Sequence, residues 1–363
     1  MITFMAPDLA TFSGGLKVID AYVRALNENG LPARVWHGTT RAAYPDATAP
    51  TVYGRRLSLD AGDVLVMPET GGQKWQFLTR GAPTVMLCQG TDFVFANTDF
   101  TTALPGPYPG WPNATAVVGV SDSIVAFLRA ACDPGFEIHH VPVEIDTHLF
   151  RPLAKEKRIA LMPRRRREDL LAAVQLIRAS GLLDEWELEI IDGMTAPQVA
   201  AALGRSAIFL FGAEREGVGL PGAEAMAAGA YVVGFTGHGA KEYLLPEVST
   251  VIPESDVVRM RDETIRVAGL FTDDRASYDR ATAAGRDLIV ARYGHDVMAA
   301  ALVTAFRTIT APGSPSVLTA PVTVDHFEQY GPRPGRGWEA YVAARTVAGR
   351  LKRRVRGAVD ARG

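Results

Sequence analysis

The sequence predicts an α/β protein built from two Rossmann-like units, each a parallel β-sheet flanked by helices. Short apolar runs alternate with amphipathic helical patterns along most of the chain, which is typical of parallel sheets covered by helices. A length of 363 residues suits two domains of ordinary size. Hydrophobic residues make up 47% of the chain and charged residues 21%, so each half has enough apolar side chains for its own core.

The first predicted domain covers residues 1–150. The apolar run Ile2–Met5 predicts its first strand, and the spacing of apolar residues after the Gly14-Gly15 turn predicts a helix that ends at Gly30. Ser121 is predicted to cap the helix that follows it. Further buried strands are predicted at Val64–Met67, Thr84–Leu87 and Ala116–Val120.

The second predicted domain covers residues 151–310 and has the same alternation. Its strands are predicted at Ile159–Met162, Glu187–Ile191, Ala207–Phe211 and Tyr231–Gly234. The intervening helices are predicted at Glu168–Ser180, Ala196–Leu203 and Pro221–Ala228, and three more helices at about 256–271, 274–291 and 295–309. The pair Asp273-Asp274 is interpreted as a helix cap, with a metal-binding carboxylate pair as the alternative.

The last segment, residues 311–363, differs from both domains. Proline and glycine are frequent from Pro312 to about Pro334, which predicts a linker or a strap across the surface. Residues 338–363 carry seven Arg and Lys residues, and Val347, Leu351 and Val355 fall four residues apart on one helix face. This pattern fits a peripheral contact with an anionic membrane, and equally a solvated or partner-binding terminus.

Composition narrows the partners and the compartment. The formal net charge of -2 and the pI of about 6.4 argue against nucleic acid as a general partner. Two cysteines, Cys88 and Cys132, are too few for a disulfide scaffold, which fits a reducing compartment. No basic region precedes the first apolar run, and no stretch of about 18 apolar residues is uninterrupted. We therefore expect a cytoplasmic protein, at most peripheral at the inner membrane face.

The most informative stretch of sequence lies between Phe211 and Gly229. It combines a strand end, a glycine-rich loop and a helix that Pro221 opens, which is where open α/β sheets bind ligands. The unpaired N–H groups of the helix start favour a phosphate. Glu216 and Glu224 stand eight positions apart around this loop. Carboxylates only accept hydrogen bonds, and the hydroxyls of a sugar or a ribose donate them.

This stretch resembles the signature of the GT-B glycosyltransferases of family 4. Residues 216–229 read Glu-Gly-Val-Gly-Leu-Pro-Gly-Ala-Glu-Ala-Met-Ala-Ala-Gly, and Gly-His-Gly-Ala-Lys-Glu follows at 237–242. Residues 141–152, Val-Pro-Val-Glu-Ile-Asp-Thr-His-Leu-Phe-Arg-Pro, are similar to the interdomain segment of that family, and Ser13-Gly14-Gly15 to its first glycine loop. The resemblance covers residue 1 to about 309. It implies that the two parallel sheets face a central cleft.

The resemblance also implies a role for individual residues. Glu216 would contact the hydroxyls of the transferred sugar, and Glu224 the ribose of the nucleotide. Arg164 and Arg165 would bind the diphosphate and stabilise the leaving group, although the lysine that the family places several residues later is absent from 162–168. Donor contacts are further assigned to Gly217, Val218, Gly219 and Leu220 in the loop and to Gly14 and Gly15 in the first half. The implied reaction is a retaining transfer without an essential metal or other cofactor.

The acceptor side of the cleft is less well defined by the sequence. Many family members carry a histidine where this chain has Gln89, and an amide can bind a hydroxyl but cannot take up a proton. Tyr108 and Trp111 are candidate sugar-stacking residues, with packing of a rigid loop as the alternative. His238 is either a donor contact or an ordinary turn residue. The acceptor itself is expected to be a glycan or a lipid-linked glycan.

Three other functions compete with a nucleotide-sugar-dependent transferase. An NAD-dependent oxidoreductase would need G-x-G-x-x-G after a strand, and Ser13–Lys17 does not supply it. A non-catalytic sugar-nucleotide or glycan-binding scaffold could share the fold. A GT-B sugar-nucleotide epimerase would act without an acceptor. The sequence favours the transferase, in a setting such as bacterial surface-polysaccharide assembly, with hexosyl or deoxyhexosyl groups such as mannose or rhamnose.

Overall fold

The computed structural model describes residues 1–8, 13–39, 47–70, 72–96 and 98–327. Two parallel sheets organise these residues, and both are covered by helices. The strands of the first half are β1 Ile2–Met5, β2 Ala33–His37, β3 Thr51–Tyr53, β4 Arg56–Leu59, β5 Val64–Pro68, β6 Thr84–Cys88, β7 Ala114–Gly119 and β8 Glu137–His140. Its helices are α1 Gly14–Glu28 and α2 Asp122–Ala131.

The second half repeats the pattern with a smaller sheet. Its strands are β9 Glu156–Leu161, β10 Glu187–Ile190, β11 Ser206–Gly212, β12 Tyr231–Phe235 and β13 Thr250–Val251. Its helices are α3 Arg167–Ala179, α4 Ala196–Arg205, α5 Leu220–Ala227, α6 Val257–Asp273, α7 Arg275–Tyr293 and α8 His295–Ile309, and a last strand, β14 Val322–Asp325, follows them.

In both sheets the parallel strand order places the loops that follow the strands at one edge of the sheet. The first sheet has the order β3-β2-β1-β5-β6-β7-β8 and the second β10-β9-β11-β12-β13, and the pairings within both sheets are parallel. In such sheets the loops after the carboxyl ends of the strands form the binding crevice. The predicted fold class, two Rossmann-like units with parallel sheets, is confirmed.

Several local predictions are also confirmed. Ile2–Met5 is a strand, and its four residues are buried. The Ser121 side chain caps α2 by accepting a hydrogen bond from the Ile124 N–H at 3.3 Å. Asp274 caps α7 by accepting from the Ser277 N–H. These caps satisfy N–H groups that have no partner within the helix. The two sheets divide between His140 and Glu156, and the domain limits themselves stay a prediction.

The chain after α7 returns to the first half, which the sequence did not predict. The Phe306 ring of α8 packs against Phe4 of β1 at 5.6 Å between ring centroids. β14 pairs antiparallel with β4, so part of the predicted strap is a strand. Residues 328–363, which include the predicted membrane-binding segment 338–363, lie outside the described residues.

One stretch, Arg275–Ile309, is long and apolar enough on average to resemble a membrane span. It consists of two helices, α7 and α8, with Gly294 in an extended conformation between them. The apolar faces of both helices are buried within the fold, as in Ile289 of α7 and Leu302 of α8. This one-sided burial is the pattern of amphipathic helices that cover the core of a globular protein.

Candidate functional site

The glycine-rich loop between β11 and α5 has a conformation that its sequence explains. Gly219 precedes α5 with a φ of +81°, which favours glycine, and Pro221 lies in the first turn of the helix. The Tyr243 hydroxyl donates to the Gly219 carbonyl oxygen at 2.6 Å. A Cβ at Gly222 would lie 2.6 Å from that hydroxyl oxygen, so this position has no room for a side chain. Tyr243, which the sequence did not single out, therefore fixes the loop against the helix start.

Glu216 lies in this loop as a largely buried acid beside exposed arginines. Its Oε1 atom is 3.5 Å from the Arg165 Nε atom. Its Oε2 atom is buried and has no hydrogen-bond partner within the described part of the chain. Burial raises the pKa of the Glu216 carboxyl, and the guanidinium groups of Arg165 and Arg164 oppose that rise. One carboxylate oxygen is thus free to accept a hydrogen bond from a ligand.

Glu224 lies one turn into α5 and is only 7% exposed. Its Oε1 atom accepts a hydrogen bond from the Lys17 ammonium at 2.9 Å. Lys17 lies on α1 of the first half and Glu224 on α5 of the second half, so this ion pair connects the two halves. The sequence did not predict this partner, because 207 positions separate the two residues.

The arginine run after β9 contains two different kinds of residue. Arg164 and Arg165, the predicted diphosphate-binding pair, are exposed. Arg166 instead donates to the Ala213 carbonyl oxygen at 2.8 Å and forms an ion pair with Glu254. Arg166 therefore holds the loop after β11. Arg164 forms no ion pair within the described residues, and Arg165 pairs with Glu216 while 59% of its side chain stays exposed to a ligand.

The first half of the chain places the backbone of Gly14 and Gly15 and the side-chain amide of Gln89 beside the glycine-rich loop. A Cβ at Gly14 would lie 3.1 Å from the Leu220 Cδ1 atom, and a Cβ at Gly217 would lie 2.1 Å from the Gln89 carbonyl oxygen. The Gln89 amide nitrogen donates to the Gly15 carbonyl oxygen at 3.3 Å. Three segments that the sequence predicted separately, 13–15, 89–90 and 216–220, are in contact. Val218 lies in the last of them and is buried.

The run 237–242 joins the halves at a second point. Glu242 accepts a hydrogen bond from the Asp122 N–H at the start of α2, at 2.9 Å, and another from the Tyr293 hydroxyl. Burial raises the pKa of the Glu242 carboxyl, and both hydrogen bonds oppose the rise. His238, between two glycines, is exposed. Glu242 therefore connects the second half to the start of α2 in the first half.

Tyr108 and Trp111 do not offer their rings to a ligand, which corrects their assignment as candidate acceptor-binding residues. Tyr108 is 1% exposed and Trp111 is 2% exposed. The two residues pair with each other in a short β-bridge. A sugar needs an open aromatic face, so the structure favours the alternative, packing of a rigid loop.

Glu69 is a buried acid that the sequence did not single out. It directly follows β5 at the carboxyl edge of the first sheet and is 5% exposed. The backbone N–H groups of Glu69 itself, Gln89 and Gly90 lower the pKa of its carboxyl group, and its Oε2 atom is buried without a hydrogen-bond partner within the described residues. Burial raises the pKa of Glu69 to about 8. The sequence could have indicated Glu69, because it is an acid directly after a buried strand, and in an open parallel sheet the carboxyl ends of the strands border the binding crevice.

Comparison with known proteins identifies the architecture. The structure is similar to that of sucrose-phosphate synthase from Thermosynechococcus elongatus, with a TM-score of 0.65 and 15% identity. The match covers 85% of this chain and 99% of that one. Anabaena HepE, solved with UDP and glucose, matches with a TM-score of 0.62 and 11% identity over 84% of this chain and 98% of that one. The chain has the GT-B fold. Identities this low establish the fold alone.

Comparison of sequences finds one short local similarity to a glucosyltransferase and assigns no family. No family model matches the chain. A stretch of 48 residues is 48% identical to an alpha-1,6-glucosyltransferase of Actinobacillus pleuropneumoniae serotype 7 (strain AP76), which is 13% of this chain. The match spans 14% of that relative's length. Within the described residues, no group of three His, Cys, Asp or Glu side chains is arranged to hold a metal ion.

Proposed function

We propose that this GT-B protein is a retaining glycosyltransferase of family 4 that moves a hexosyl or deoxyhexosyl group from a nucleotide-sugar to an acceptor. One observation carries the proposal. Two acids flank a glycine loop at a helix start, and a cation accompanies each of them, Arg165 at 3.5 Å from Glu216 and Lys17 at 2.9 Å from Glu224. A nucleotide-sugar presents the complementary groups, hydroxyl donors on both sides of a diphosphate.

Each residue of the site then has a physical task. The free Oε2 atom of Glu216 accepts a hydrogen bond from the transferred sugar, and Glu224 accepts from the ribose. Arg164 and Arg165 stabilise the charge that grows on the leaving diphosphate, the task that a metal ion performs in other transferases. Backbone groups at Gly14, Gly15 and 217–220 line the diphosphate, and Gln89 meets the acceptor side.

The acceptor in this proposal is a glycan or a lipid-linked glycan, as in bacterial surface-polysaccharide assembly, on the cytoplasmic side of the membrane. The basic segment 338–363 would bring the protein to anionic lipid. Its deletion should abolish binding to vesicles that contain anionic lipid and leave nucleotide binding intact. Unchanged vesicle binding would reject the peripheral contact and leave the rest of the proposal in place.

The decisive experiment is a panel of UDP-, GDP- and dTDP-sugars. We expect one nucleotide class to raise the unfolding temperature and its sugar to be slowly hydrolysed when no acceptor is present. Chelation by EDTA should leave the rate unchanged, because the cations of the site are side chains. Absence of binding by all three classes would contradict the function. Binding without hydrolysis or transfer would indicate the scaffold instead, and a changed sugar in the recovered donor would indicate an epimerase.

A further inference from the structure

Lys17 brings a positive charge of the first half into the candidate donor site. It lies on α1, three residues after Gly14, which contacts Leu220 at the start of α5. Its ammonium donates to the Glu224 carboxylate at 2.9 Å and lies 5.1 Å from the centre of the Phe150 ring. The Lys17 side chain is 22% exposed. The ammonium therefore contacts α5 and the interdomain segment from the opposite side of the cleft.

The pair between Lys17 and Glu224 suits an exchange of partners. When donor hydroxyls hydrogen-bond to a carboxylate, they compete with the ammonium for its oxygens. A lysine ammonium is a point charge on a flexible four-carbon stem, so it can turn from one anion to another nearby. The diphosphate of a nucleotide-sugar is the anion that arrives together with those hydroxyls. A cation already at α5 needs only a short movement to reach it.

We propose that Lys17 binds the diphosphate of the donor, so that the charge of the ligand is neutralised from both halves of the cleft. Arg164 and Arg165 approach it from the second sheet, and Lys17 approaches it from α1 of the first. This inference rests on the proposed function and deepens it. Because Lys17 contacts the diphosphate only when the halves are close, donor binding stabilises the closed cleft.

The structure allows a test with two opposite outcomes. If Lys17 binds phosphate, its loss weakens the binding of a nucleoside diphosphate. If Lys17 only occupies the ribose-binding carboxylate in the empty protein, its loss removes a competitor and tightens binding. The nucleoside without phosphates serves as the internal reference, because it keeps the base and the Glu224–ribose contact and lacks the diphosphate.

The experiment measures dissociation constants by isothermal titration for UDP and uridine, GDP and guanosine, and dTDP and thymidine. The variant is Lys17→Met, which keeps most of the stem against Phe150 and removes the charge. Lys157→Met is the matched control, since Lys157 forms a comparable ion pair with Glu185 at 2.8 Å on β9, away from the loops. We expect Lys17→Met to weaken binding of the matching diphosphate about 10-fold or more, while the nucleoside binds as tightly as to wild type or more tightly and Lys157→Met behaves as wild type.

The outcomes separate this inference from the proposed function. If wild-type protein binds none of the diphosphates, the proposed function fails. If wild type binds one of them and Lys17→Met binds it equally well or more tightly, only the role of Lys17 fails. Should Lys17→Met not fold, Lys17→Gln replaces it in the same measurement, and Lys17→Arg, which keeps the charge, should retain binding within about threefold of wild type.

Discussion

Each of the two sheets has an acid in a loop that follows one of its central strands, and the surroundings of the two acids differ. Glu69 follows β5 of the first sheet, and the groups that oppose the rise of its pKa are the neutral backbone N–H groups of Glu69 itself, Gln89 and Gly90. Within the described residues it takes part in no ion pair. Glu216 follows β11 of the second sheet and lies 3.5 Å from a guanidinium nitrogen of Arg165. Burial raises both pKa values, but only at Glu216 do cations oppose the rise.

This difference shows how one kind of side chain acquires two tasks. Burial raises the pKa of Glu69 to about 8 against the lowering effect of backbone N–H groups, so its carboxyl group is mostly protonated at pH 7 and can both donate and accept. Burial also raises the pKa of Glu216, but there the guanidinium groups of Arg165 and Arg164 oppose the rise, and a nearby cation favours the charged form, which only accepts. The acid beside cations suits a hydroxyl-rich ligand, and the protonated acid suits a structural contact between the ends of β5 and β6.

Glu216→Ala should have the strongest effect on transfer. We expect a loss of transfer of at least about 100-fold, because the carboxylate contact to the reacting sugar disappears. The protein should remain folded, since the carboxyl group is buried at a cost and Arg165, which it leaves behind, is 59% exposed. Steady-state transfer rates and the unfolding temperature measure the two parts.

A matched substitution of a nearby exposed acid, Glu254, serves as the control for Glu216→Ala. Glu254→Ala removes an exposed carboxylate that pairs with Arg166, so it alters an arginine contact near the loop without removing a predicted ligand. Transfer at the wild-type rate in Glu216→Ala would remove the central assignment of the site. A comparable loss in both variants would mean that any disturbance near this loop is enough.

The arginines give the next largest effect. Arg165→Met should lower transfer about 10-fold or more, because a charge-assisted contact to the diphosphate is lost. It should also shift the ionisation of Glu216 to higher pH, since Arg165 lowers that pKa. Transfer rates between pH 5 and 9 measure both effects. Arg178→Met, on the exposed last turn of α3, is the control. A pH profile identical to that of wild type would contradict the coupling.

Much of the fold could be predicted from the sequence because buried parallel strands are continuous apolar runs. Val64–Met67 and Ala207–Phe211 lie within β5 and β11 for this reason. The pairing of β4 with β14 could not be predicted, because it joins residues 56–59 to 322–325. Leu57 and Val324 alternate with polar residues in short segments, a signal that many loops share.

The site divides in the same way. Glu216 and Glu224 could be selected because their loop is continuous in the sequence and its chemistry is local. Lys17 could not be selected, since nothing within α1 distinguishes it from a solvated lysine until α5 lies beside it. Tyr108 was selected for its ring, and the structure buries that ring. The sequence identifies the chemical type of a side chain, but for an isolated aromatic residue it does not show whether the ring is exposed.

The last prediction concerns Glu69 and is measured by stability, not by transfer. Its pKa is about 8 in the folded protein against 4.5 ordinarily, so the folded state binds more protons between these values. The free energy of unfolding therefore falls as pH rises from about 4.5 to 8, by at most about 1.4 kcal/mol per pH unit from this group. Urea unfolding at several pH values measures this slope. Glu69→Gln, which is neutral at every pH and keeps an oxygen acceptor, should reduce the fall.

The difference between Glu69→Gln and wild type isolates this group from others that titrate nearby in pH. Burial lowers the pKa of His326 to about 4, so this histidine contributes stability above about pH 6.5 that is lost as pH falls through 4, the opposite slope. That contribution is the same in both proteins and cancels in the subtraction. Equal slopes in wild type and Glu69→Gln would mean that Glu69 ionises as an ordinary carboxyl, and the contrast with Glu216 would then disappear.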